Sequence, residues 1–290
     1  MSTALLRQRT PVRLQLEHLA VAGLRFLVVL VGAVAFMTPT VWMVTTSLKV
    51  DAQVWLIPPK WIPDPVVWSN YSEAWNLLPF ARFFGNTILI CALCVVGLML
   101  SSGLVAYGFA RLRFPGRNVL FLIMLSTLML PTHVTLIPQY VFYTRLKWVN
   151  TILPLVVPSY GGGPFNIFLL RQFMMTIPHD LDDAAKMDGA GFISVYWRII
   201  LPLCRPVLGV VAINSITHHW NDFIGPLIYL QKEKLFTLSL GLRMVQGNYF
   251  GEFPVQYIMA MTFVSVIPVV ILFFIAQRYF LHGIVLSSYK

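Results

Sequence analysis

Six long apolar runs constrain this chain more than any other feature of its sequence. Their approximate bounds are 24–48, 86–110, 118–138, 151–173, 203–227 and 256–280. Because the hydrocarbon core of a bilayer is about 30 Å thick and a helix rises about 1.5 Å per residue, about 20 apolar residues cross it. The runs are hydrophobic on every helical face. We therefore predict membrane-spanning helices rather than barrel strands.

The composition supports a membrane protein. The 290 residues are 58% hydrophobic and 11% charged, and the mean hydropathy is +0.74, which is more apolar surface than a soluble fold of this length buries. The first run is too long for the apolar part of a signal peptide and lacks a cleavage site, so we interpret it as a retained span. We expect a single all-α integral membrane domain over residues 1–290, with a cytoplasmic N-terminal segment (1–23) and a C-terminal tail (281–290).

The distribution of basic residues predicts the orientation. If the N-terminus is cytoplasmic, the loops on that side carry 13 Lys and Arg residues and the loops on the other side carry 8. This bias favours both termini inside, and it places residues 176–202 inside as well. The net charge of +10 is then juxtamembrane anchoring, so no nucleic-acid partner is needed.

Two segments on the outer side are longer than turns, residues 49–83 and 228–255. The first combines five prolines with four tryptophans, a composition that suits short helices at the membrane surface. Trp and Tyr side chains prefer the level of the lipid headgroups, so an aromatic belt explains them. A docking surface for an external partner explains them as well, because tryptophan is enriched in protein interfaces.

The chain offers little for metal, redox or nucleotide chemistry. Cys91 and Cys94 lie one turn apart in an apolar run without further ligands, so we interpret them as small packing residues. The side chains of His218 and His219 point about 100° apart on a helix, which disfavours a shared metal ion. No GxxxxGK[ST] motif occurs, and no lysine follows residues 161–164 (GGGP) to hold a phosphate. We expect no metal, no cofactor and no ATP binding here.

The stretch DAAKMDGAGFISVYWRIILPLCRP, which begins at Asp183, interrupts the apolar pattern. Residues 176–202, here called the polar segment, predict a short helix followed by a second one. Pro178 suits the start of the first helix, acidic residues complement its positive end, and Gly189 suits the left-handed residue that ends it. Pro202 marks the turn of the second helix into the fifth run.

The first of these helices is too short and too polar to cross a membrane. Leu181, Ala184 and Ala185 share one face, and Lys186 is spaced to pair with an acidic residue one turn earlier. Because the polar segment has no core of its own, we expect a partner protein to bury this alanine face. The alternative is a helix lying on lipid, although such helices tend to have a basic polar face rather than an acidic one.

The polar segment resembles the signature of the inner-membrane permease subunits of ABC importers. In that family the cytoplasmic loop carries Glu-Ala-Ala, then Asp-Gly-Ala three positions on, and a terminal Leu-Pro. The matching positions here are Asp183, Ala184, Ala185, Asp188, Gly189, Ala190, Leu201 and Pro202. Asp183 stands where the family usually has Glu. The negative charge is kept, but it is carried by a shorter side chain.

The resemblance covers nearly the whole chain. AYGFARLRFPGRN (106–118) is similar to the loop between the second and third spans in the carbohydrate branch of the family, and HHWNDFIGPLIYL (218–230) is similar to the end of its fifth span. GLRMV from Gly241 and QRYFLHG from Gln277 continue the pattern. The chain thus resembles the maltose-type subunit, whose C-terminal tail enters the ATPase dimer. This chain ends in LSSYK (286–290), and only Lys290 has a counterpart in the ending that is common in the family.

The resemblance implies a type I importer permease with six spans and a cytoplasmic coupling helix, in the cell membrane of a prokaryote. It implies as partners two cytoplasmic ATPase subunits, a second, related permease subunit and an extracellular or periplasmic solute-binding protein. ATP-driven closure of the ATPase subunits would move Asp183–Pro202. The spans, which catalyse no reaction, would then switch the solute pathway between inward-facing and outward-facing access. The implied ATPase-coupling residues are Asp183, Ala184, Ala185, Asp188, Gly189, Ala190 and Pro202.

Polar residues at membrane depth mark the expected solute pathway, because they are costly in lipid and face a cavity or another helix. In the fifth run Asn214, His218 and Asn221 share a face, and Trp220 is placed to stack on a sugar ring. Hydrogen bonding between helices is the alternative, as is solvation of Asp222 near the outer end. The prolines of the third run predict a kink or a gate.

The carbohydrate-type pattern favours a sugar or an oligosaccharide as the solute. Importers of sugar phosphates and polyols share this pattern and stay as alternatives. An autonomous intramembrane enzyme or channel is a further alternative. It would need clustered ionisable residues within the spans, and these are nearly absent outside the fifth run.

Overall fold

The fold is built from α-helices. A computed structural model of the chain describes residues 12–247 and 253–285, with side-chain positions for residues 20–131, 133–247 and 253–275. No part of these residues forms a β-strand. Residues 286–290 of the expected C-terminal tail lie outside the described residues. In chain order the α-helices are α1 (Val12–Ser47), α2 (Asp51–Val54), α3 (Ser69–Leu77), α4 (Phe80–Arg111), α5 (Arg117–Ser126), α6 (Thr132–Arg145), α7 (Leu153–Val156), α8 (Pro164–Thr176), α9 (Asp180–Met187), α10 (Phe192–Val195), α11 (Leu201–Leu203), α12 (Arg205–Asn221), α13 (Ile224–Tyr229), α14 (Leu238–Gln246) and α15 (Val255–Val285).

Four helical stretches are long and apolar enough to cross a membrane: Ala20–Ser47, Phe80–Arg111, Leu153–Thr176 and Val255–Ile275. Two further candidates are bent pairs of helices, Arg117–Met129 with His133–Arg145, and Phe192–Leu203 with Arg205–Asn221. The first pair bends by 100° and the second by 78°. When each bent pair counts as one span, the described residues hold up to six spans, which overlap the six apolar runs; the second pair begins at Phe192, before the fifth run.

Prolines accompany both bends. Pro131 stands between the halves of the first pair, and Pro206 lies at the start of α12 in the second. Proline lacks the backbone donor that continues a helix. The kink predicted for the third run is therefore a sharp break of the span, whereas Pro138 lies inside α6 without ending it.

Backbone contacts divide the chain into two compact units, Met1–Tyr71 with Pro254–Ala260, and Ser72–Phe253 with Met261–Lys290. In the first unit the most apolar stretch of α1 is not buried inside the chain, which suits contact with lipid. Trp55 and Trp68 are 71% and 70% exposed. Their exposure suits an aromatic belt and a docking surface alike.

Lys49 anchors the end of α1 within the first unit. Its side chain is fully buried, with Nζ 3.9 Å from the centre of the Trp42 ring and 3.4 Å from Oγ1 of Thr46. Burial lowers the pKa of this ammonium group, because it disfavours the charged form. Asn70 Nδ2 donates to the carbonyl oxygens of Ser47 and Lys49, at 2.9 Å each.

Helix α4 is the centre of the second unit. It packs against α8, α12, α14 and the 3-10 turn Val157–Gly161. One buried cluster contains residues of α4, α8, α12 and the polar segment, among them Tyr107, Met174 and Tyr196. A second cluster joins the first half of α4 to α13 and α14. The polar segment is thus packed on the same core as the spans.

We expect Gly103→Ala to destabilise the chain by roughly 1–3 kcal/mol, the usual cost of overpacking a core. A Cβ at this position of α4 would lie 2.6 Å from the hydroxyl oxygen of Tyr196, whose side chain is 1% exposed and has little room to move. Thermal unfolding of the purified chain in detergent measures the effect. Gly108→Ala in the same helix is the control, because nothing lies within 4 Å of its Cβ. Equal unfolding temperatures for the two variants would contradict this packing.

Candidate functional site

The first helix of the polar segment is α9 (Asp180–Met187). Asp180, Asp182 and Asp183 stand in its first turn, where carboxylates stabilise the positive end of the helix dipole. The amides of Asp182 and Asp183 donate to the carbonyl oxygen of His179 at 2.9 and 3.1 Å. The predicted helix with an acidic first turn after Pro178 is confirmed.

Gly189 ends this helix with a φ of +81°. Its amide donates to the carbonyl oxygen of Lys186 at 2.9 Å, and the amide of Ala190 donates to that of Ala185, also at 2.9 Å. These two bonds form a Schellman motif, which satisfies the last carbonyl groups of a helix and needs a left-handed residue. Gly189 therefore sets the direction in which the chain leaves α9.

The two alanines of α9 differ in their exposure to solvent. Ala184 is exposed and Leu181 is 42% exposed, but Ala185 is only 8% exposed and belongs to the buried cluster. The expectation that these three residues present one face to a partner is wrong for Ala185. The polar segment buries part of its surface in its own chain, because residues of α4 and α8 belong to the same cluster.

The solvent-exposed surface of the polar segment combines apolar side chains with charges. Met187 and Ile193 are 89% and 75% exposed. Lys186 Nζ lies 3.0 Å from Oδ1 of Asp183, an exposed pair that adds little stability. Exposed apolar side chains framed by charges indicate a surface that another molecule covers.

A groove of about 480 Å³ lies between α9 and the stretch Phe192–Leu203. Its lining residues are Ala185, Asp188, Gly189, Ala190, Gly191, Ser194, Arg198 and Ile199. The structure thus brings four predicted coupling residues together at this groove. Asp183 and Ala184 lie on the exposed side of α9. Pro202 lies in α11, beside the 78° bend, and does not line the groove.

A second cavity, of about 510 Å³, is bounded by α4, α6, α8 and α12 and is here called the central cavity. Of the predicted pathway residues, Asn214, His218 and Asp222 line it. Further polar residues of its lining are Gln139, Ser159, Asn166, Ser215 and His219. Asn166 Oδ1 and Ser215 Oγ are buried and have no hydrogen-bond partner within the described residues. Because buried polar atoms are normally paired, these two are unsatisfied polar groups beside the cavity.

Trp220 and Asn221 do not line the central cavity. Trp220 is 8% exposed, and its indole N–H donates to the carbonyl oxygen of Ser265 in α15 at 3.1 Å. Both residues line a separate cavity of about 240 Å³ with residues of α14 and α15. Trp220 is therefore not placed to stack on a sugar in the central cavity. Asn221 does not join Asn214 and His218 at the central cavity.

Asp222 combines a cavity position with a structural role. Its Oδ1 accepts a hydrogen bond from the amide of Gly225 at 3.1 Å, which shapes the turn from α12 into α13. Ser239 Oγ donates to the Asp222 carbonyl oxygen at 2.5 Å. The side chain is thus held in place where it borders the central cavity.

Sequence reasoning missed Gln139, Ser159 and Asn166 as lining residues. Each is polar within or beside an apolar run, which is the same signal that singled out Asn214 and His218. Applied to the third and fourth runs, the signal would have found them. Within the described residues, no three His, Cys, Asp or Glu side chains come together in a way that suits a metal ion.

Comparison with known proteins supplies the family. A model of the family described as binding-protein-dependent transport system inner membrane component matches residues 99–285. The arabinooligosaccharides transport system permease protein AraQ of Halalkalibacterium halodurans is 34% identical, over 72% of this chain and 74% of its own length. The sn-glycerol-3-phosphate transport system permease protein UgpE of Yersinia enterocolitica is 30% identical, over 89% of this chain and 94% of its own. The chain belongs to this family of inner-membrane transport components.

A solved structure has the same fold as this permease. One chain from the crystal structure of a bacterial ABC transporter involved in the import of the acidic polysaccharide alginate aligns with a TM-score of 0.79. The alignment covers 90% of this chain and 97% of that chain, at 22% identity. The family and the relatives, together with this fold, make the protein a multi-pass permease subunit of an ABC importer in the inner membrane, as the sequence predicts.

We expect Ala184→Cys to react with a water-soluble maleimide at least about tenfold faster than Ala185→Cys, because thiol reactivity follows exposure. The native Cys91, Cys94 and Cys204 are all buried, so the background is low. The measurement is the labelling rate of the purified chain. Equal rates at the two positions would contradict the inward orientation of Ala185.

Proposed function

We propose that this permease forms half of the translocation pathway of an ATP-driven importer for a sugar or an oligosaccharide. Cytoplasmic ATPase subunits would supply the energy by moving Asp183–Pro202 in the polar segment. A second permease subunit, two ATPase subunits and a solute-binding protein outside the membrane would complete the assembly. The name of the family supports dependence on a solute-binding protein, and the name of the relative AraQ supports an oligosaccharide as the solute.

The observation that carries the coupling role is the construction of α9. The buried side of α9 is fixed by Ala185, and the C-terminal end of α9 is fixed by the Schellman motif at Gly189. Its free surface, with Ala184 and Met187 among acidic residues, is exposed. Because helices that lie on lipid tend to have basic polar faces, a protein partner fits this acidic surface better.

The position of the polar segment supports transfer of motion to the pathway. The stretch Phe192–Leu203 continues through the 78° bend into α12. Helix α12 places Asn214 and His218 at the central cavity. A push on α9 would therefore reach a helix that lines the pathway, and a rigid-body tilt of this helix would change which side the cavity opens to.

The lining of the central cavity favours a neutral polar solute. Its neutral hydrogen-bonding groups include Asn166, Ser215 and Asn214, and Tyr229 adds an aromatic ring. Sugar hydroxyls bind such groups, and their apolar faces pack on aromatic rings. No Lys or Arg belongs to the lining among the described residues, and Asp222 adds a negative charge.

A sugar phosphate is the second candidate solute, because the relative UgpE is named for sn-glycerol-3-phosphate transport. A phosphate needs cationic or donor groups around it. In this case the second permease subunit would have to supply the cations. Competition between a neutral oligosaccharide and sn-glycerol-3-phosphate for uptake by the assembled importer separates the two candidates.

We expect Gly189→Val to reduce solute uptake and solute-stimulated ATP hydrolysis while the protein stays in the membrane. A β-branched residue at a φ of +81° is strained by roughly 1–3 kcal/mol or more, although nothing crowds its Cβ. Both activities are measured with the assembled importer in proteoliposomes.

Two variants serve as controls for Gly189→Val. Gly189→Asn should retain most activity, because asparagine tolerates the left-handed conformation. Gly116→Val should also retain it, because Gly116 has a similar φ of +79° and nothing lies within 4 Å of its Cβ, but it stands outside the polar segment. Unchanged uptake in Gly189→Val, or an equal loss in Gly116→Val, would count against a coupling role for α9.

We expect Asn214→Leu to raise the half-saturating solute concentration for uptake by roughly two- to tenfold, the effect of losing one hydrogen bond. Asn221→Leu in the same helix is the matched control, because its side chain donates to the carbonyl oxygen of Thr217 and does not line the central cavity. The measurement is uptake of radiolabelled sugar over a range of concentrations. A larger effect at Asn221 than at Asn214 would place the pathway elsewhere.

A further inference from the structure

The side chain of Arg111 joins three helices. Arg111 is the last residue of α4, and its side chain is 1% exposed. Its Nη1 lies 3.1 Å from Oδ2 of Asp182 in α9. Its Nη2 donates to the carbonyl oxygens of Met174 and Ile177, at the end of α8, at 2.7 Å each. One buried guanidinium group therefore ties α4, α8 and α9 together.

The chemistry of these contacts requires an arginine. The last carbonyl groups of a helix have no partner within the helix, and Arg111 supplies donors to two of them at the end of α8. Its positive charge also suits the negative ends of α4 and α8. A planar guanidinium group reaches two carbonyl oxygens and a carboxylate at once, whereas a lysine ammonium group is a single point charge.

Stability alone does not account for the Arg111–Asp182 pair. The side chain of Asp182 is 8% exposed. Its Oδ1 and the Nε of Arg111 are buried and have no hydrogen-bond partner within the described residues. Burying two charges costs solvation that their attraction offsets only in part, and unpaired polar atoms add to this cost. A buried pair of this kind is better explained by the geometry that it specifies, which here is the position of α9 on the end of α4.

A second side chain of α4 holds the other half of the polar segment. Tyr107 lies one turn before Arg111, and its hydroxyl donates to the carbonyl oxygen of Phe192 at 3.1 Å. Its ring packs on the ring of Tyr196, with 5.1 Å between the ring centres. Arg111 thus holds α9, and Tyr107 holds the stretch Phe192–Leu203. The polar segment cannot tilt unless α4 follows or these contacts break.

We propose that Arg111 is a positioning residue for coupling. Through Asp182 and the end of α8, it fixes α9 rigidly to α4, so that a push on α9 moves α4 and its side of the central cavity. This inference rests on the proposed coupling role of the polar segment. It adds a second route for motion, through α4, to the direct route through the bend into α12.

The test uses the assembled importer with Arg111→Gln, Asp182→Asn or Arg113→Gln. Arg113→Gln is the matched control, because the Arg113 side chain is exposed two residues away. Spin labels on Leu104→Cys in α4 and Met187→Cys in α9, which are 49% and 89% exposed, report the distribution of distances between the two helices. Asp182→Asn keeps the shape of the carboxylate and the buried arginine, so it remains informative if Arg111→Gln fails to fold.

We expect the distance distribution to broaden in Arg111→Gln and Asp182→Asn, and to stay unchanged in Arg113→Gln. The second readout is the number of solute molecules imported per ATP hydrolysed, measured in importer without spin labels because Met187 lies on the proposed partner surface of α9. We expect this ratio to fall by roughly fivefold in the two test variants, a typical effect of a mutation within a coupling network. A purely structural role would lower the amount of importer and leave the ratio unchanged.

Two results would overturn the inference, and both leave the proposed function to its own test. An unchanged distance distribution in both test variants would show that Arg111 does not fix α9. A broadened distribution with an unchanged ratio would show that the attachment of α9 to α4 does not transmit work. In either case the direct route through the bend into α12 would remain, and the Gly189 variants test the coupling role of α9 separately.

Discussion

Hydrocarbon cannot hydrogen-bond a peptide group, and this constraint shapes every part of the permease. A regular helix pairs its own backbone groups, so the spans are helices. Where regularity fails, at the 100° and 78° bends, the freed groups need other partners. Both bent pairs contribute side chains to the central cavity, Gln139 and Tyr143 from one and Asn214 and His218 from the other. These side chains stand on regular helix beyond each break, in α6 and α12.

Backbone polar groups also need partners at the helix ends in and beside the polar segment, the region proposed to couple transport to ATP hydrolysis. The end of α9 pairs its carbonyl groups through the left-handed Gly189, and the end of α8 pairs them through Arg111. Each solution also fixes a direction, since Gly189 sets the exit from α9 and Arg111 sets the place of α9 on α4. A segment with so few free torsions passes on a displacement as a rigid body. We regard this rigidity as the property that a coupling element needs.

Much of the fold followed from the sequence. The six apolar runs predict the spans because hydrophobic length is set directly by bilayer thickness. The helix of the polar segment and its end at Gly189 follow from local chemistry, the acidic first turn and the glycine. Such signals are strong because each depends on a few neighbouring residues. The sharpness of the break at Pro131 did not follow, because proline marks where a helix fails but not the angle at which the chain continues.

The orientation of individual site residues was much harder to predict. On a helix that is apolar all round, periodicity does not tell which face meets lipid, cavity or neighbour, so Trp220 was expected at a solute and lies against α15. In α9, alanines occupy both the exposed and the buried side, and the sequence alone does not separate Ala184 from Ala185. The ties of Arg111 to Met174, Ile177 and Asp182 link positions 63 to 71 residues apart. Contacts over such distances leave no local pattern.

The unburied state of α1 bears on how the protein is made. Its most apolar stretch is not buried within the described residues, so it does not depend on later helices to bury its surface when it enters the bilayer. The arginines at positions 7, 9, 13 and 25 favour a cytoplasmic position for its leading end, and the direction of the helices that follow depends on this orientation. A charge reversal at the N-terminus would therefore risk turning the whole permease upside down, with α9 on the side of the membrane where there is no ATP.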